Sequence, residues 1–349
     1  MEPTREAILE GLSRVIDPEL RKPVTELDMV RAVEIDGGRV GVTIALTIAG
    51  CPLRSSFEDQ VAREVGTLAG VESVQLTFDV MTPDERAALT TKLRGGVESR
   101  SKGLSLDAST RVLAVCSGKG GVGKSTLTAT LAVALSRSGL RVGILDADIY
   151  GHSIPHILGI NQKPVLVDKM IIPPVKDGLK LMSIGFFLDD NAPVMWRGPM
   201  LHRALEQFLS DVHWGELDVL VVDMPPGTGD VAISLGQLLP RAEVIVVTTP
   251  QPAAQEVASR AATMAQKTSM RLVGVVENMS GEIFGTGGGQ RLADELGIPL
   301  LGSIPLDPRL REAGDAGVQL VTPEIAAIAE RVAARRPGSI AKPLPVLSS

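Results

Sequence analysis

Val112-Leu-Ala-Val-Cys-Ser-Gly118-Lys-Gly-Gly-Val-Gly-Lys-Ser125 is an apolar run that breaks into a glycine-rich turn with the spacing G-x-x-x-x-G-K-S. An amphipathic stretch follows it, so the run reads as a strand, the stretch as a helix and the turn between them as a phosphate cradle. Glycines at 118, 120, 121 and 123 let main-chain N–H groups curl round phosphate oxygens, and a helix opening near Lys124 adds the positive end of its dipole. Lys124 is then placed to reach the β- and γ-phosphates of ATP, and Ser125 to ligate Mg²⁺. The candidate nucleotide-binding set is Gly118, Lys119, Gly120, Gly121, Val122, Gly123, Lys124, Ser125 and Thr126.

Beyond the turn, runs rich in Val, Ile and Leu recur at 142–145, 179–184, 219–222, 244–248, 272–276 and 300–304, most of them separated by helical stretches. That alternation predicts an α/β fold with a doubly wound, mostly parallel sheet covered on both faces. Lys163 to Gly178 has neither period and is expected to be an irregular excursion. Upstream, residues 2–80 read as a small α+β domain of order αββαβ. Its first helix is carried by Ile8, Leu9, Leu12, Val15 and Ile16, and a hairpin turns at Asp36-Gly37-Gly38. The expected organisation is a small domain over 1–94, a flexible linker over 95–109, an ATPase domain over 110–336 and a disordered Pro-rich tail over 337–349.

Composition agrees with an aliphatic sheet: of 349 residues, 44% are hydrophobic and only 3% aromatic. The net charge is -6 and the 35 Lys and Arg residues are scattered, so nucleic acid is not an expected partner. Glu2, Arg5 and Glu6 interrupt any apolar leader, and no window is long enough to span a bilayer, which predicts a cytoplasmic protein that does not engage membranes. Two cysteines, Cys51 and Cys116, are too few for a disulfide framework.

Three acids stand where phosphate chemistry wants them. Leu220-Val-Val-Asp223 is an apolar strand ending in a carboxylate, the expected anchor for Mg²⁺ through water, and Gly227 in the following Met-Pro-Pro-Gly-Thr-Gly loop is a candidate to offer its N–H to a γ-phosphate. Asp146-Ala-Asp148 ends another strand; Asp148 is the candidate to orient the attacking water and Asp146 lies nearer the metal shell. Acids at strand ends also serve as helix caps. Asn278 ends a strand and reads either as a ligand contact or as a turn former.

Lys119, directly after the first glycine, gives the variant K-G-G-x-G-K-S, which resembles the deviant-loop ATPases that include MinD, ParA and Mrp. The resemblance implies a homodimer in which Lys119 reaches across into the partner's nucleotide, Asn278 bonds the adenine edge and the Pro305 loop flanks the base. Asp148-Ile-Tyr-Gly-His-Ser-Ile-Pro155, Val194-Met-Trp-Arg-Gly-Pro-Met200, Asp223-Met-Pro-Pro-Gly-Thr-Gly-Asp230 and Glu277-Asn-Met-Ser280 narrow the likeness to the Mrp (ApbC-type) iron-sulfur cluster carriers. Asp17-Pro-Glu19 and Ala49-Gly-Cys51-Pro52 in the first domain resemble the small domain often fused to them. The likeness implies slow ATP hydrolysis that drives a two-state dimer and hands clusters to apo iron-sulfur proteins or assembly factors. Membrane-positioning relatives end in an amphipathic helix, whereas this chain continues from Ala333-Ala-Arg-Arg-Pro337 into a Pro-rich tail.

The chain departs from that family at one point. Its carriers usually place a Cys-x-x-Cys pair soon after the Asn-Met-Ser block, and two protomers together hold a [4Fe-4S] cluster. Here Ser280 to Gly289 contains no cysteine. Cys116, inside a strand, is expected to be an inert apolar filler. Cys51 precedes Pro52 at a helix start and is the candidate for iron-sulfur transfer, with a structural helix cap as its other reading. A metal-free regulatory or scaffold ATPase of the MinD/ParA type is the alternative function.

Overall fold

The computed structural model describes residues 2–48, 54–93, 106–107, 109–149, 151–187 and 198–335. The chain divides into two units: Met1–Ser105 with Lys163–Val175 and Leu209–Gly215, and Leu106–Gln162 with Lys176–Phe208 and Glu216–Ser349.

In the first unit, helix α1 (Arg5–Leu12) starts where the Thr4 hydroxyl accepts the Ala7 N–H. Strands β1 (Val30–Asp36) and β2 (Arg39–Leu46) form the antiparallel hairpin, helix α2 (Arg54–Glu64) crosses back, and β3 (Ser73–Val80) pairs parallel with β2. Ile8, Leu12, Val42, Ile44, Phe57 and Val61 are buried together, the apolar faces that the two periodicities set up. One more helix, α3 (Pro83–Leu93), extends the expected αββαβ order. Its start is a capping box: the Thr82 hydroxyl accepts the Glu85 N–H (3.2 Å) and the Glu85 carboxylate accepts the Thr82 N–H (2.6 Å).

The stretch 163–178 corrects the expected irregular excursion. Val165–Val167 and Met170–Ile172 pair as an antiparallel ribbon around Asp168, which takes φ +53°, and Val167, Met170 and Ile172 join the first unit's core. Both strands are only three residues long, too short for a period to register.

The second unit is built on β4 (Arg111–Ser117), α4 (Lys124–Arg137), β5 (Val142–Asp146) and α5 (Ile154–Ile157). The ribbon strands count as β6 and β7, and β8 (Val175–Lys176), β9 (Leu179–Ser183) and α6 (Gly198–Ser210) follow. The remainder is β10 (Val219–Asp223), α7 (Asp230–Leu238), β11 (Glu243–Thr248), α8 (Pro252–Lys267), β12 (Arg271–Ser280), α9 (Gly288–Leu296), β13 (Leu300–Pro305), α10 (Pro308–Asp315) and α11 (Pro323–Ala334). The sheet runs β13-β12-β11-β4-β10-β5-β9-β8, with parallel pairing on both sides of β4. From β4 the chain steps one way to β5, and later returns past β4 to β11, so the order reverses at β4. Such a reversal opens a crevice at the carboxyl ends of the strands, where the glycine loop sits. Leu113, Val115, Ile144, Val221 and Ile245 are buried with Leu127, Leu131 and Leu135 of α4, which anchors the loop from below. Among the described residues no helix is long and apolar enough to cross a membrane.

Candidate nucleotide site

The loop between β4 and α4 is held from two sides. Gly123, at φ +80°, occupies the left-handed region just before α4, and an added Cβ there would overlap the Asn278 amide. Asn278, at the end of β12, donates from Nδ2 to the Val122 carbonyl (2.8 Å) and so ties the loop to a neighbouring strand. Gly118 lies against α8, where a Cβ would overlap the main chain of Val257 and Ala258. Gly120 and Gly121 border open space, since a Cβ added at either would meet nothing within 4 Å.

Beneath the loop, acids and hydroxyls converge on Lys124. Its side chain is only 6% exposed, and its ammonium stands 2.8 Å from Asp223 Oδ2 and 3.2 Å from Asp148 Oδ2. The Ser125 hydroxyl donates to the same Asp223 Oδ2 (2.6 Å), and the Thr128 hydroxyl lies 2.8 Å from Asp223 Oδ1. Burial pushes the Asp223 carboxyl up, while Lys124 and the hydroxyls pull the other way. Asp146 is pushed up to about 7, first by burial and then by the charge of Asp223. Its oxygens accept from the Asp148 N–H (3.2 Å), the Ser183 hydroxyl (3.0 Å) and the Ile154 N–H (3.4 Å). In this arrangement Asp146 organises the turn that carries Asp148. Thr128 and Ser183 were not singled out in the sequence; Thr128 had a signal, since it lies three residues after Ser125 on the same helix face. Ser183 had none.

The remaining candidates fall into two groups. Gly227, at φ +84°, donates its N–H to the Ser117 carbonyl (2.8 Å), so it borders the loop with that N–H engaged. Pro305 ends β13, and the following Leu306 N–H bonds the Ser280 carbonyl (2.9 Å) beside Asn278. Lys119 is exposed, and among the described residues it has no ion pair. Cys116 is buried and its thiol is pushed up to about 12, which makes it a packing residue. Cys51, Trp196, Arg197, the tail and the linker apart from residues 106–107 and 109 lie outside the described residues.

These residues suit Mg²⁺ with a polyphosphate. One hydroxyl and nearby carboxylates are hard oxygen donors, and among the described residues no three His, Cys, Asp or Glu side chains converge as an all-protein cage. A cation bound here would lean on phosphate and water, the usual habit of Mg²⁺. They do not suit an iron-sulfur cluster, because the chain's two cysteines include one inert thiol and the stretch after Asn278 has none.

A family model described as NUBPL iron-transfer P-loop NTPase matches residues 108–336, and one described as iron-sulfur cluster assembly protein matches 5–76. The iron-sulfur cluster carrier protein of Mycobacterium leprae is 52% identical over 334 residues, covering 91% of this chain and 87% of its own length. The chain belongs to the iron-sulfur cluster carrier family. The Bacillus subtilis carrier protein is 43% identical, covering 83% of this chain and 84% of itself. Among solved structures, a nucleotide-binding protein of Archaeoglobus fulgidus in complex with ADP has 38% identity and a TM-score of 0.55, covering 62% of this chain and 90% of that one. The septum site-determining protein MinD of Pyrococcus horikoshii, complexed with Mg-ADP, shares the fold at 23% identity and a TM-score of 0.51, covering 64% of this chain and 96% of that one. P-loop NTPase membership therefore rests on both sequence and shape.

Proposed function

We propose that this chain binds ATP with Mg²⁺ in the 118–126 loop, hydrolyses it slowly, and works as a cytoplasmic, nucleotide-switched homodimer that delivers iron-sulfur clusters to apo-proteins or assembly factors. The observation that carries the reading is the convergence of Lys124, Ser125, Asp148 and Asp223 at the glycine loop. The curated relatives' shared name supplies the cargo. The two carboxylates now pair with the Lys124 ammonium, so an incoming triphosphate competes with them for it. Bound Mg²⁺ supplies positive charge for the phosphate oxygens; Ser125 would hold it directly, with Asp223 behind. Asp148 is the group to take up or orient the proton of an attacking water. Exposed Lys119 is free to meet phosphate from the facing protomer, a cation arriving from outside as an arginine finger does.

The test is Asp148→Asn. Calorimetric ATP affinity is expected to stay within about threefold while turnover falls about 10²- to 10⁴-fold. Loss of binding, or full turnover, would overturn the assignment. A second reading, a metal-free scaffold ATPase of the MinD/ParA type, is favoured by the cysteine-free stretch 280–289 and the inert Cys116. Anaerobic reconstitution with iron and sulfide separates the two: iron retained by the wild type and lost in Cys51→Ser supports delivery through the small domain, and iron-free protein with full ATPase activity supports the scaffold.

A further inference from the structure

Asp223 is a fully buried carboxylate with a different task for each oxygen. Oδ2 faces the Ser125 hydroxyl and the Lys124 ammonium, the side on which a metal and phosphates are expected. Oδ1 faces the other way, toward Thr128, which is itself fully buried one turn down α4. A carboxylate without a partner on its far oxygen can turn about its last side-chain torsion, which is broad and roughly two-fold. Such rotation would change which lone pairs meet Ser125.

The Thr128 hydroxyl has a choice of acceptors. It lies 2.9 Å from the Lys124 carbonyl, four residues back, and 2.8 Å from Asp223 Oδ1. Back-bonding to the preceding turn is ordinary for a helical threonine. A carboxylate is the stronger acceptor, and a hydroxyl has a single proton to give. The proton is therefore directed mainly to Asp223, and the Lys124 carbonyl takes the minor share of a bifurcated bond. The helix that begins with the phosphate-binding lysine thus also holds the far side of the acid at the end of β10.

We propose that Thr128 is a positioning residue for the divalent cation: its hydroxyl locks the Asp223 carboxylate so that Oδ2 is presented to Ser125 and to the metal's water shell. This deepens the nucleotide-site reading and rests on Asp223 belonging to the metal's surroundings. Partners of this kind typically change metal affinity about ten- to hundredfold when removed.

Two variants and a Mg²⁺ titration test it. Fluorescent ADP binding is followed against Mg²⁺ concentration in wild type, Thr128→Val and Thr128→Ser, with affinity also measured in EDTA. The isosteric Thr128→Val is expected to raise the Mg²⁺ half-saturation about tenfold or more. Its affinity in EDTA should stay within about twofold of wild type, and Thr128→Ser should titrate like wild type. An unchanged half-saturation in Thr128→Val overturns the proposal, because a purely structural threonine would lower the unfolding temperature without moving it. Should Thr128→Val not fold, Thr128→Cys, whose thiol is a weak donor of similar shape, takes its place with the same criterion. A wild type whose ADP binding ignores Mg²⁺ would overturn the underlying metal reading, a failure distinguishable from a Thr128 variant that titrates like a Mg²⁺-responsive wild type.

Discussion

Glu19 sits beside Asp17 in the first unit, and its carboxyl is pushed up to about 7, first by burial and then by the Asp17 charge. An acid whose folded value lies above its usual 4.5 holds its proton in the folded chain after the unfolded chain has released it. The contribution to stability is thus complete below about 4.5 and is lost as pH rises through about 7. Asp17 is shifted the same way by burial, although the Leu20 and Glu19 N–H groups oppose it. Glu19→Gln is expected to flatten the fall in urea midpoint between pH 5 and pH 8; an unaltered slope would mean that other groups carry it.

At the scale of elements, the strands of the second unit and the loop between β4 and α4 were legible because long aliphatic runs and a glycine pattern are strong local signals. Contact across the fold was not. Gly118 reads as one more loop glycine, yet its neighbour is the backbone of α8 some 140 residues later in the chain. Gly118→Ala should therefore cost about 1–3 kcal/mol in urea unfolding, since main chain cannot swing aside as a side chain does. Gly120→Ala, which meets nothing within 4 Å, should stay within about 0.5 kcal/mol and serves as control. Helix α3 was readable in principle, from Thr82 and Glu85 in capping-box spacing, but its weak apolar face gave the period little to register. The carboxylate cluster was legible as separate strand ends. That Asp146 serves its own turn through Ser183 depends on a β9 neighbour no spacing rule connects.

For the whole molecule, the division into units does not follow the order of the chain. The first unit's core takes in Val167, Met170 and Ile172, and it includes Leu209–Gly215, whose Val212 bridges to Ile171. Met170 is 1% exposed there, and Met170→Ala is expected to destabilise by about 2–5 kcal/mol. Hydrogen exchange should locate the effect in the first unit, including α3, whose Thr90 hydroxyl bonds the Val167 carbonyl of the ribbon, and faster exchange confined to the second unit would contradict the assignment. Domains commonly fold as they leave the ribosome, beginning at the amino terminus. Here the leading segment stays short of part of its interior until residue 215 has been synthesised, by which point the phosphate loop, α4 and β5 are already out. A nascent chain stalled before the 165–172 ribbon should consequently expose an unfinished apolar face, even though the phosphate loop that follows the first unit's leading segment has already been made.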